Sequence, residues 1–408
     1  MQDKRSSSRD KQPKRVNSSG FLRIFLVSFL PLALLITSIA YAIYTVESNG
    51  RIKLKVEQNQ SLIKLQKESI TQDFTMAASD ILFLAAESEL QGALEDGDAE
   101  HLLQASVELQ NFVRAKRIYD QIRFIDNSGM EKIRINYDGQ KATIVPSDQL
   151  QSKANRYYFT EALNLKAGEI YVSPLDLNIE HGAIELPHKP MIRFTTPVMD
   201  SNGNRMGFLI SNYYGQVMLD HFIGIHTDEP ELSHLVNSDG YWLHSHPHGL
   251  EWGFMLAGKN QVSFKHDHAK AWQQISTNES GHIELDKGIY CFTTIHPLHR
   301  VLPDYKIAGQ QHYIGEWKVI SFDSRASLNA MLASTKNIIS IWTLISLLLA
   351  SIISGLLARA VSRRKIAEAI AHRAELRMEE AVRTALDSII TIDHENVIVS
   401  FNLRSEEH

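Results

Sequence analysis

Arginine, tyrosine and serine side chains on neighbouring predicted elements in the middle of the chain could together bind a carboxylate. Tyr171 and Ser173 share one face of a predicted strand, because side chains alternate along a strand. Arg193 lies on a later predicted strand, and Arg156 opens a short predicted helix. The planar guanidinium group of arginine matches the two oxygens of a carboxylate, so these residues indicate a small carboxylate-bearing ligand.

Tyr158 follows Arg156 by two residues and adds an apolar ring with a hydroxyl group to this set. The alternative for each of these residues is a structural hydrogen bond inside a core with polar edges. For Arg156, Tyr158 and Tyr171 taken together, ligand binding is the favoured interpretation. The sequence leaves both interpretations open for any single residue.

Histidines form a second candidate site, in the segment His-Ser-His-Pro-His and shortly after it. The residues are His244, His246, His248, His266 and His268. Alternating imidazole groups on a strand can bind a metal ion. A proline interrupts this strand, however, and the sequence has no His-Glu-x-x-His motif. The pattern therefore favours a solvated loop, and no metal site is predicted, although metal binding by the first three histidines stays open.

Composition argues against several other functions. The 408 residues include 42 Lys and Arg against 47 Asp and Glu, a net charge of −5 that excludes a broadly basic nucleic-acid binder. Cys291 is the single cysteine, so an intramolecular disulfide and a multi-cysteine metal site are excluded. The sequence shows no nucleotide-binding glycine box, GGDEF or EAL motif or paired-carboxylate pattern. We therefore predict no catalytic residues and no cofactor in this chain.

Two apolar stretches, residues 21–46 and 337–358, are long enough to cross a membrane as helices. Basic residues precede the first stretch and follow the second, and such flanks stay in the cytoplasm. Both chain ends are therefore expected in the cytoplasm, with the region between the stretches outside it. The alternatives are a cleaved signal peptide for the first stretch and a buried core helix for the second.

The sequence between these stretches predicts a long helix followed by two similar α+β blocks. Apolar residues at three- and four-residue spacings predict the helix from Val46 to about Leu94, either a signalling element or a passive stalk. The first block has predicted strands Gln121–Asp126, Glu131–Asn136, Glu169–Ser173, Met191–Met199 and Arg205–Tyr213 and a predicted helix Ala154–Leu165. The second has strands Leu232–Val236, Tyr241–His244, His282–Leu285, Ile289–Ile295 and Glu316–Phe322 and a helix His266–Ser276.

This layout resembles a bacterial double Cache sensor domain over residues 47–330, and is similar to the exported sensors of transmembrane histidine kinases and diguanylate cyclase receptors. The residues that carry the resemblance are Arg156–Phe159, Gly168–Asn178, Lys189–Phe194, Asn237–Leu243 and Glu251–Met255. The resemblance implies an α+β fold class: a tandem PAS-like, antiparallel-sheet extracytoplasmic domain with a long N-terminal helix, flanked by two transmembrane helices.

The resemblance also implies that a ligand binds in the membrane-distal unit. Amino-acid sensors of the family resemble the motif Arg-x-[Trp/Tyr]-[Tyr/Phe], which Arg156, Tyr158 and Phe159 match, and hold the ligand's amine with a later strand aspartate. This sequence offers Asn212 at that position, and a neutral amide pairs poorly with an ammonium group. The implied ligand is therefore a simple carboxylate rather than an α-amino acid. The expected ligand-binding residues are Arg156, Tyr158, Tyr171, Ser173, Arg193 and Asn212.

Two further segments follow the second apolar stretch. Residues 362–386 carry alanines at three- and four-residue steps among charged residues, which predicts a coiled coil and a homodimer, with a single amphipathic helix as the alternative. Residues 387–408 resemble the first hairpin of a cytoplasmic PAS domain. The rest of a PAS core does not follow in this sequence, so no cofactor pocket is expected there.

These features predict a transmembrane signal-transduction sensor. A small solute bound outside biases the arrangement of helices, and the coiled coil passes that bias to a PAS-linked histidine kinase or cyclic-di-GMP enzyme that this chain lacks. The alternative is a membrane-anchored solute- or metal-binding protein without signalling output. The expected partners are a carboxylate-like small molecule, the lipid bilayer and a second copy of the chain, without nucleic acid.

The expected location is the bacterial inner membrane, with a periplasmic sensor domain and both termini cytoplasmic. The predicted division is a basic tail (1–20), a transmembrane helix (21–46), a long periplasmic helix (47–99), a membrane-distal unit (100–228), a membrane-proximal unit (229–334), a second transmembrane helix (337–361), a signalling helix (362–386) and a PAS start (387–408).

Overall fold

A computed structural model of the chain describes residues 18–180, 182–225, 233–246, 248–296, 315–384, 390–395 and 397–401. Parts of the predicted elements lie outside these residues, namely residues 1–17 of the basic tail, Leu232, Pro247, residues 385–386 of the signalling helix, and residues 387–389, 396 and 402–408 of the PAS-like segment. The chain divides into two compact units. One comprises residues 51–331, and the other comprises the two ends of the chain.

The eight helices of the described part of the chain include two very long ones. They are α1 (Ser18–Ala86), α2 (Ser88–Asp96), α3 (Ala99–Lys116), α4 (Tyr157–Thr160), α5 (Gly215–Gly224), α6 (Phe264–Asp267), α7 (Ala269–Ile275) and α8 (Arg325–Thr384). Short 3₁₀ turns lie at Ser147–Gln149 and Glu161–Asn164. Both α1 and α8 contain a stretch that is long and apolar enough to cross a membrane.

The second half of α1 packs one apolar stripe onto the folded domain. Ile63, Ile70, Phe74, Ala77 and Ile81 are at most 2% exposed, at the three- and four-residue spacing that puts side chains on one helix face. The predicted helix to about Leu94 is therefore correct in type but too long. The chain leaves helical geometry at Glu87, and α2 ends at Gly97, whose left-handed φ of 64° suits glycine.

The membrane-distal sheet consists of antiparallel strands in the order β3-β2-β1-β9-β8-β4, with β5 also paired to β8. Its strands are β1 (Tyr119–Asp126), β2 (Glu131–Tyr137), β3 (Ala142–Ile144), β4 (Tyr171–Val172), β5 (Asp176–Leu177), β8 (Pro190–Met199) and β9 (Arg205–Tyr214). A separate small hairpin is formed by β6 (Ile179–Glu180) and β7 (Ala183–Ile184). Both predicted hairpins of this block are confirmed, whereas the predicted helix Ala154–Leu165 is reduced to α4 and a 3₁₀ turn.

The two faces of the distal sheet pack differently. Phe194 on β8 faces α1, where its ring lies 5.8 Å from the ring of Phe74. The opposite face is covered by α4 and the following 3₁₀ turn, which contribute Tyr158 and Phe159 to a small apolar cluster with Tyr171. Because neighbours along a strand point to opposite faces, Arg193 next to Phe194 lies on this covered face.

The membrane-proximal sheet has five antiparallel strands in the order β11-β10-β14-β13-β12. They are β10 (Ser233–Val236), β11 (Trp242–His244), β12 (Ser280–Leu285), β13 (Gly288–Ile295) and β14 (Trp317–Ser324). One face meets α1, where Trp317 lies 5.5 Å from Phe74. The other is covered by α6 and α7, which replace the single predicted helix His266–Ser276.

The C-terminal end of the chain begins directly after β14, because α8 starts at the next residue. Its side chains from residue 363 to residue 381 are exposed. A two-stranded hairpin, β15 (Ile390–Ile392) and β16 (Ile398–Phe401), follows α8 and agrees with the strand–turn–strand pattern in the sequence. The predicted α+β class, with two antiparallel sheets in tandem and long apolar helices at both ends, is confirmed.

Candidate functional site

Cross-strand pairing brings polar residues together on the covered face of the distal sheet. Arg193 on β8 lies opposite Asn212 on β9, and Asn212 lies opposite Gln121 on β1. Arg123 shares the face of Gln121, two residues further along the same strand. Arg193, Asn212 and Arg123 are all at most 4% exposed, so the fold buries two arginines and an amide under α4.

Arg193 is held by partners from two elements. Its Nη1 donates to Asp176 Oδ1 at 2.7 Å and to Tyr157 Oη at 2.9 Å, and its Nη2 donates to Asn178 Oδ1 at 3.2 Å. Burial is the largest influence and opposes its charge, but the Asp176 carboxylate together with Tyr157 and Tyr158 outweighs burial and keeps the pKa of Arg193 above its ordinary value. Arg193 therefore stays charged, and part of its donor fork is already used within the protein.

Tyr158 lies among three guanidinium groups. The Cζ atoms of Arg123, Arg156 and Arg193 lie 5.8, 5.9 and 5.7 Å from the centre of its ring. Arg123 Nη1 also donates to Tyr158 Oη at 3.2 Å. The electron-rich face of an aromatic ring attracts cations, so the ring stabilises three positive charges at close range.

A buried carboxylate, Glu131, lies next to this group and is shared by several cations. Its oxygens lie 3.5 Å from Arg123, 3.1 Å from Arg134 and 3.9 Å from Lys153. Burial and then repulsion from Arg123 lower the pKa of Lys153 below its ordinary value. Positive charge is thus in excess here, because one carboxylate serves three cations.

The six predicted ligand-binding residues lie in the same region, but they have different surroundings. Tyr158 and Tyr171 belong to the apolar cluster under α4, whereas Arg156 is half-buried at the start of that helix. The Ser173 hydroxyl donates to Pro174 O at 2.9 Å and accepts from Arg193 N at 2.9 Å, so it supports the local backbone.

Several buried oxygen atoms on the covered face lack hydrogen-bond partners within the described part of the chain. Asn212 Oδ1 and Thr195 Oγ1 are the two that lie on the strands next to Arg193. Thr195 is two residues from Arg193 and is fully buried. Buried polar atoms are normally paired, and an unpaired one indicates a group that a ligand or water would satisfy.

Sequence reasoning missed several members of this site. They are Gln121, Arg123, Glu131, Tyr157, Asp176 and Asn178. The segment from residue 174 to residue 178 carried the family resemblance, which was the one available signal for Asp176 and Asn178. Arg123 and Glu131 gave no such signal, because their roles depend on pairing between distant strands.

The histidine segment forms a second cluster, in the proximal unit. Ligand atoms of His244, His248 and Glu251 all lie within 4.8 Å of one another. Burial, followed by repulsion from His248, lowers the pKa of His244 to about 4. His268 lies elsewhere, with its ring stacked 4.8 Å from Phe264 and its Nδ1 2.9 Å from Tyr290 Oη. Sequence reasoning did not include Glu251 in this cluster.

An open groove of about 530 Å³ lies on α1, away from both clusters. It is lined by Lys67, Glu68, Glu279 and His296, among others, and contains none of the predicted ligand-binding residues. Glu279 lies 3.9 Å from Lys67 and 3.0 Å from His296, so these three groups of the groove are paired with each other. We therefore assign the candidate ligand site to the covered face of the distal sheet.

Comparison with family models gives a match that agrees with the resemblance seen in the sequence. The model of the sensor domain of bacterial histidine kinases matches residues 65–301, which is more than half of the chain and includes the distal sheet and strands β10 to β13 of the proximal sheet. No curated protein matches this sequence. The family match confirms the resemblance to histidine kinase sensors that the sequence carries.

Solved structures share the fold at low sequence identity. A domain of a sensory box/GGDEF family protein from Vibrio parahaemolyticus is 19% identical, with a TM-score of 0.57 over 68% of this chain and 99% of that one. The extracellular domain of the histidine kinase vpHK1S-Z8 is 19% identical, with a TM-score of 0.59 over 69% of this chain and 96% of that one. The ligand-binding domain of the Campylobacter jejuni chemoreceptor Tlp3, solved with 4-methylisoleucine, is 10% identical, with a TM-score of 0.46 over 68% of this chain and 93% of that one.

Proposed function

The chain belongs to the family of bacterial histidine kinase sensor domains, and on that premise we propose that its distal sheet binds a small carboxylate-bearing solute. The ligand lies between the covered face of that sheet and α4. Binding is passed through α1 and α8 to a cytoplasmic output such as a histidine kinase or a cyclic-di-GMP enzyme, which this chain does not contain.

The excess of positive charge around Tyr158 is the observation that carries the proposal. Asp176 matches Arg193, and Glu131 is shared by Arg123 and two further cations. Arg156 contacts the Tyr158 ring and has no ion pair within the described ranges. In a site shielded from water, uncompensated positive charge strongly attracts an anion. Arg156 is therefore the group that we assign to the ligand's carboxylate.

The unpaired oxygen atoms indicate the remaining polarity of the ligand. Asn212 Oδ1 and Thr195 Oγ1 accept hydrogen bonds, so a hydroxyl group on the solute would satisfy one of them. An ammonium group would instead need a carboxylate, and both nearby carboxylates already serve arginines. The arrangement therefore favours a hydroxy acid or simple organic acid over an α-amino acid.

Helix α1 supplies a physical link between the two sheets. Phe74 contacts Phe194 of the distal sheet and Trp317 of the proximal sheet, with ring centres 5.8 and 5.5 Å apart. Asn59 Nδ2 also donates to Asp323 Oδ2 on β14 at 2.5 Å. A ligand that binds more tightly to one of two positions of the distal sheet would shift the population of α1 positions as well. Packed interfaces move between discrete arrangements and do not deform continuously.

A binding experiment on the full chain in lipid nanodiscs tests the ligand class. The panel contains acetate, succinate and lactate, the corresponding amides, and α-amino acids. We expect at least one of the three acids to raise the melting temperature of the chain. An acid present at 100 times its Kd raises the free energy of unfolding of the chain by about 2.7 kcal/mol. Arg156→Ala removes a charged hydrogen bond of about 1.5–3 kcal/mol and should weaken binding by about tenfold or more.

Arg205→Ala is the matched control for that variant, because Arg205 also lies over an aromatic ring, 4.6 Å from Phe208, but its guanidinium donates to Asn127 Oδ1 and Leu163 O at the edge of the covered face. It should bind the acid as the unaltered chain does. Binding of α-amino acids alone, or an acid bound equally well by Arg156→Ala, would contradict the proposed ligand class.

The proposed topology places the region between the two apolar stretches on the periplasmic side of the bacterial inner membrane. The basic residues that flank the stretches support this orientation. Protease added to right-side-out membrane vesicles should then cut the sensor domain, and protease added to inverted vesicles should spare it. The opposite pattern of protection would rule out an external ligand.

A further inference from the structure

We propose that His244, His248 and Glu251 form a binding site for one divalent transition-metal ion of the zinc type. This site lies in the loop after β11 of the proximal unit, so it goes beyond the proposed function, which concerns the distal sheet. One ligand atom from each of the three side chains lies within 4.8 Å of the other two.

The spacing of these atoms approaches that of a zinc site. Bonds of about 2.0–2.2 Å in a tetrahedral zinc site place neighbouring ligand atoms about 3.3–3.6 Å apart. His248 Nδ1 already lies 3.3 Å from Glu251 Oε1. The His248 side chain is 72% exposed, so its ring has room for the shift of about 1 Å that closes the remaining distances.

The Glu251 carboxylate is held in place by bonds that leave it able to bind a cation. Ser245 N donates to Oε1 at 3.2 Å, Ser245 Oγ donates to the same oxygen at 2.8 Å, and Gly249 N donates to Oε2 at 2.7 Å. Metal-binding carboxylates in proteins are commonly oriented by such outer hydrogen bonds. The loop thus fixes its one acidic ligand before any ion arrives.

His244 gives the site a rigid side. It is the last residue of β11, is paired across the sheet with Leu235, and lies with its ring centre 5.6 Å from that of Phe222 on α5. The His248 ring, in contrast, is exposed to solvent. An ion can therefore enter from solvent, and water can complete its coordination shell.

The ligand set selects the class of ion. Two imidazole nitrogens and one carboxylate suit zinc, copper or nickel, which bind nitrogen ligands well. Calcium prefers six to eight oxygen ligands, and magnesium keeps an octahedral shell of oxygens. Zinc is therefore the appropriate probe, and magnesium and calcium are the matched negative probes.

Equilibrium dialysis tests this site on the full chain in detergent, first stripped of metal with EDTA. We expect about one high-affinity zinc ion per chain, measured by atomic emission. His248→Ala and Glu251→Gln should each bind that ion at least about tenfold more weakly, since losing even an outer-shell partner costs about 10–100-fold. His266→Ala is the control, because His266 is an exposed histidine of the same unit, 3.1 Å from Asp267 and outside the cluster.

Two results would overturn the metal site. One is a chain that retains zinc no better than magnesium or calcium, and the other is zinc affinity unchanged in both His248→Ala and Glu251→Gln. Circular dichroism melting of each variant shows that the fold is intact. The carboxylate experiment on the distal sheet is independent, because neither variant alters Arg156 or Tyr158.

Discussion

The two sheets share one construction but fill the face away from α1 in different ways. In the distal sheet that face buries Arg123 and Arg193 under α4. In the proximal sheet it buries Trp242 and Tyr290 under α6 and α7, with the Tyr290 ring stacked 4.6 Å from Phe322. The distal face therefore combines two buried arginines with an apolar cluster, whereas the centre of the proximal face consists of aromatic rings.

This difference assigns separate tasks to the two sheets. Burying apolar area stabilises a fold, whereas burying arginines and amides costs free energy that hydrogen bonds only offset. A face that retains charged groups despite this cost is suited to recognising a ligand. The proximal face also buries His234 and Lys318, but its centre is a cluster of aromatic rings, which is suited to holding the unit together.

The largest effect is expected from removing a ring from the proximal face. Phe264 is fully buried, with its ring 5.2 Å from Trp242 and 4.8 Å from His268. Phe264→Ala should lower the free energy of unfolding by about 3–5 kcal/mol, because the cavity cannot refill. Denaturant unfolding followed by tryptophan fluorescence measures this. Phe83→Ala, at a side chain 62% exposed on α1, should change little, and an equally small loss for Phe264→Ala would contradict the comparison.

The next effect concerns the charge pair of the distal face. Arg193→Met keeps the volume of the side chain but leaves the Asp176 carboxylate without its cation, 2.7 Å away in the native chain. Removing one partner of a buried pair should cost about 3 kcal/mol, measured by the same unfolding experiment. Arg205→Met, at a half-buried arginine that forms no ion pair in the described residues, should cost about 1 kcal/mol. Equal losses for the two variants would mean that burial of Arg193 has no energetic consequence.

A pH titration distinguishes the proximal unit. The pKa of His234 is lowered to about 3, by burial and then by repulsion from His244, His268 and His246. The folded state therefore keeps His234 neutral, while the unfolded chain takes up a proton below about pH 6.5. Stability is complete above that pH and falls as the pH drops towards 3, by about 2 kcal/mol between pH 6.5 and 5.

Thermal unfolding as a function of pH, with EDTA present, measures this loss. In His234→Gln, unfolding should take up one proton fewer at acid pH, so stability should fall less steeply as the pH drops. His188→Gln, at an exposed histidine, should leave that dependence unchanged. An acid dependence that is the same in the chain and in His234→Gln would show that this histidine is not buried in neutral form.

The smallest effect compares two buried threonines, one from each sheet. The Thr294 hydroxyl donates to Glu279 O at 2.7 Å and accepts from Lys318 Nζ at 2.6 Å, whereas Thr195 Oγ1 has no partner in the described residues. Thr294→Val should therefore cost about 1–2 kcal/mol, and Thr195→Val should leave stability within about 0.5 kcal/mol. Calorimetry of both variants checks this, and equal costs would remove the distinction between the sheets.

Turn chemistry made the strands predictable. Asp126 ends a strand, and Asp200 and Asn237 each follow one. In each case the side-chain oxygen accepts from backbone N–H groups two and four residues later. Such turns are local, so a sequence pattern reveals them without knowledge of the tertiary fold. Both sheets were accordingly predicted in type, with strand ends shifted by a few residues.

The missed features depend on distant parts of the chain. Arg123 lies opposite Ile210 through the pairing of β1 with β9, and only that register brings it to Tyr158. Glu251 joins the histidines because its loop folds back onto β11, with backbone N of Trp252 bonded to Trp242 O at 3.1 Å. No fixed residue spacing signals either arrangement, since many registers are compatible with an alternating strand.

The junction between β14 and α8 has a geometric consequence. The strand ends at Ser324 and the helix begins at Arg325, whose backbone N donates to Lys287 O at 2.8 Å in the turn between β12 and β13. Each residue inserted at this point would advance the following helix by about 1.5 Å and turn it by about 100°. Seven inserted residues would return it to within about 20° of its original azimuth. The angular position of the helix after this junction therefore depends periodically on the number of residues inserted at this one peptide bond.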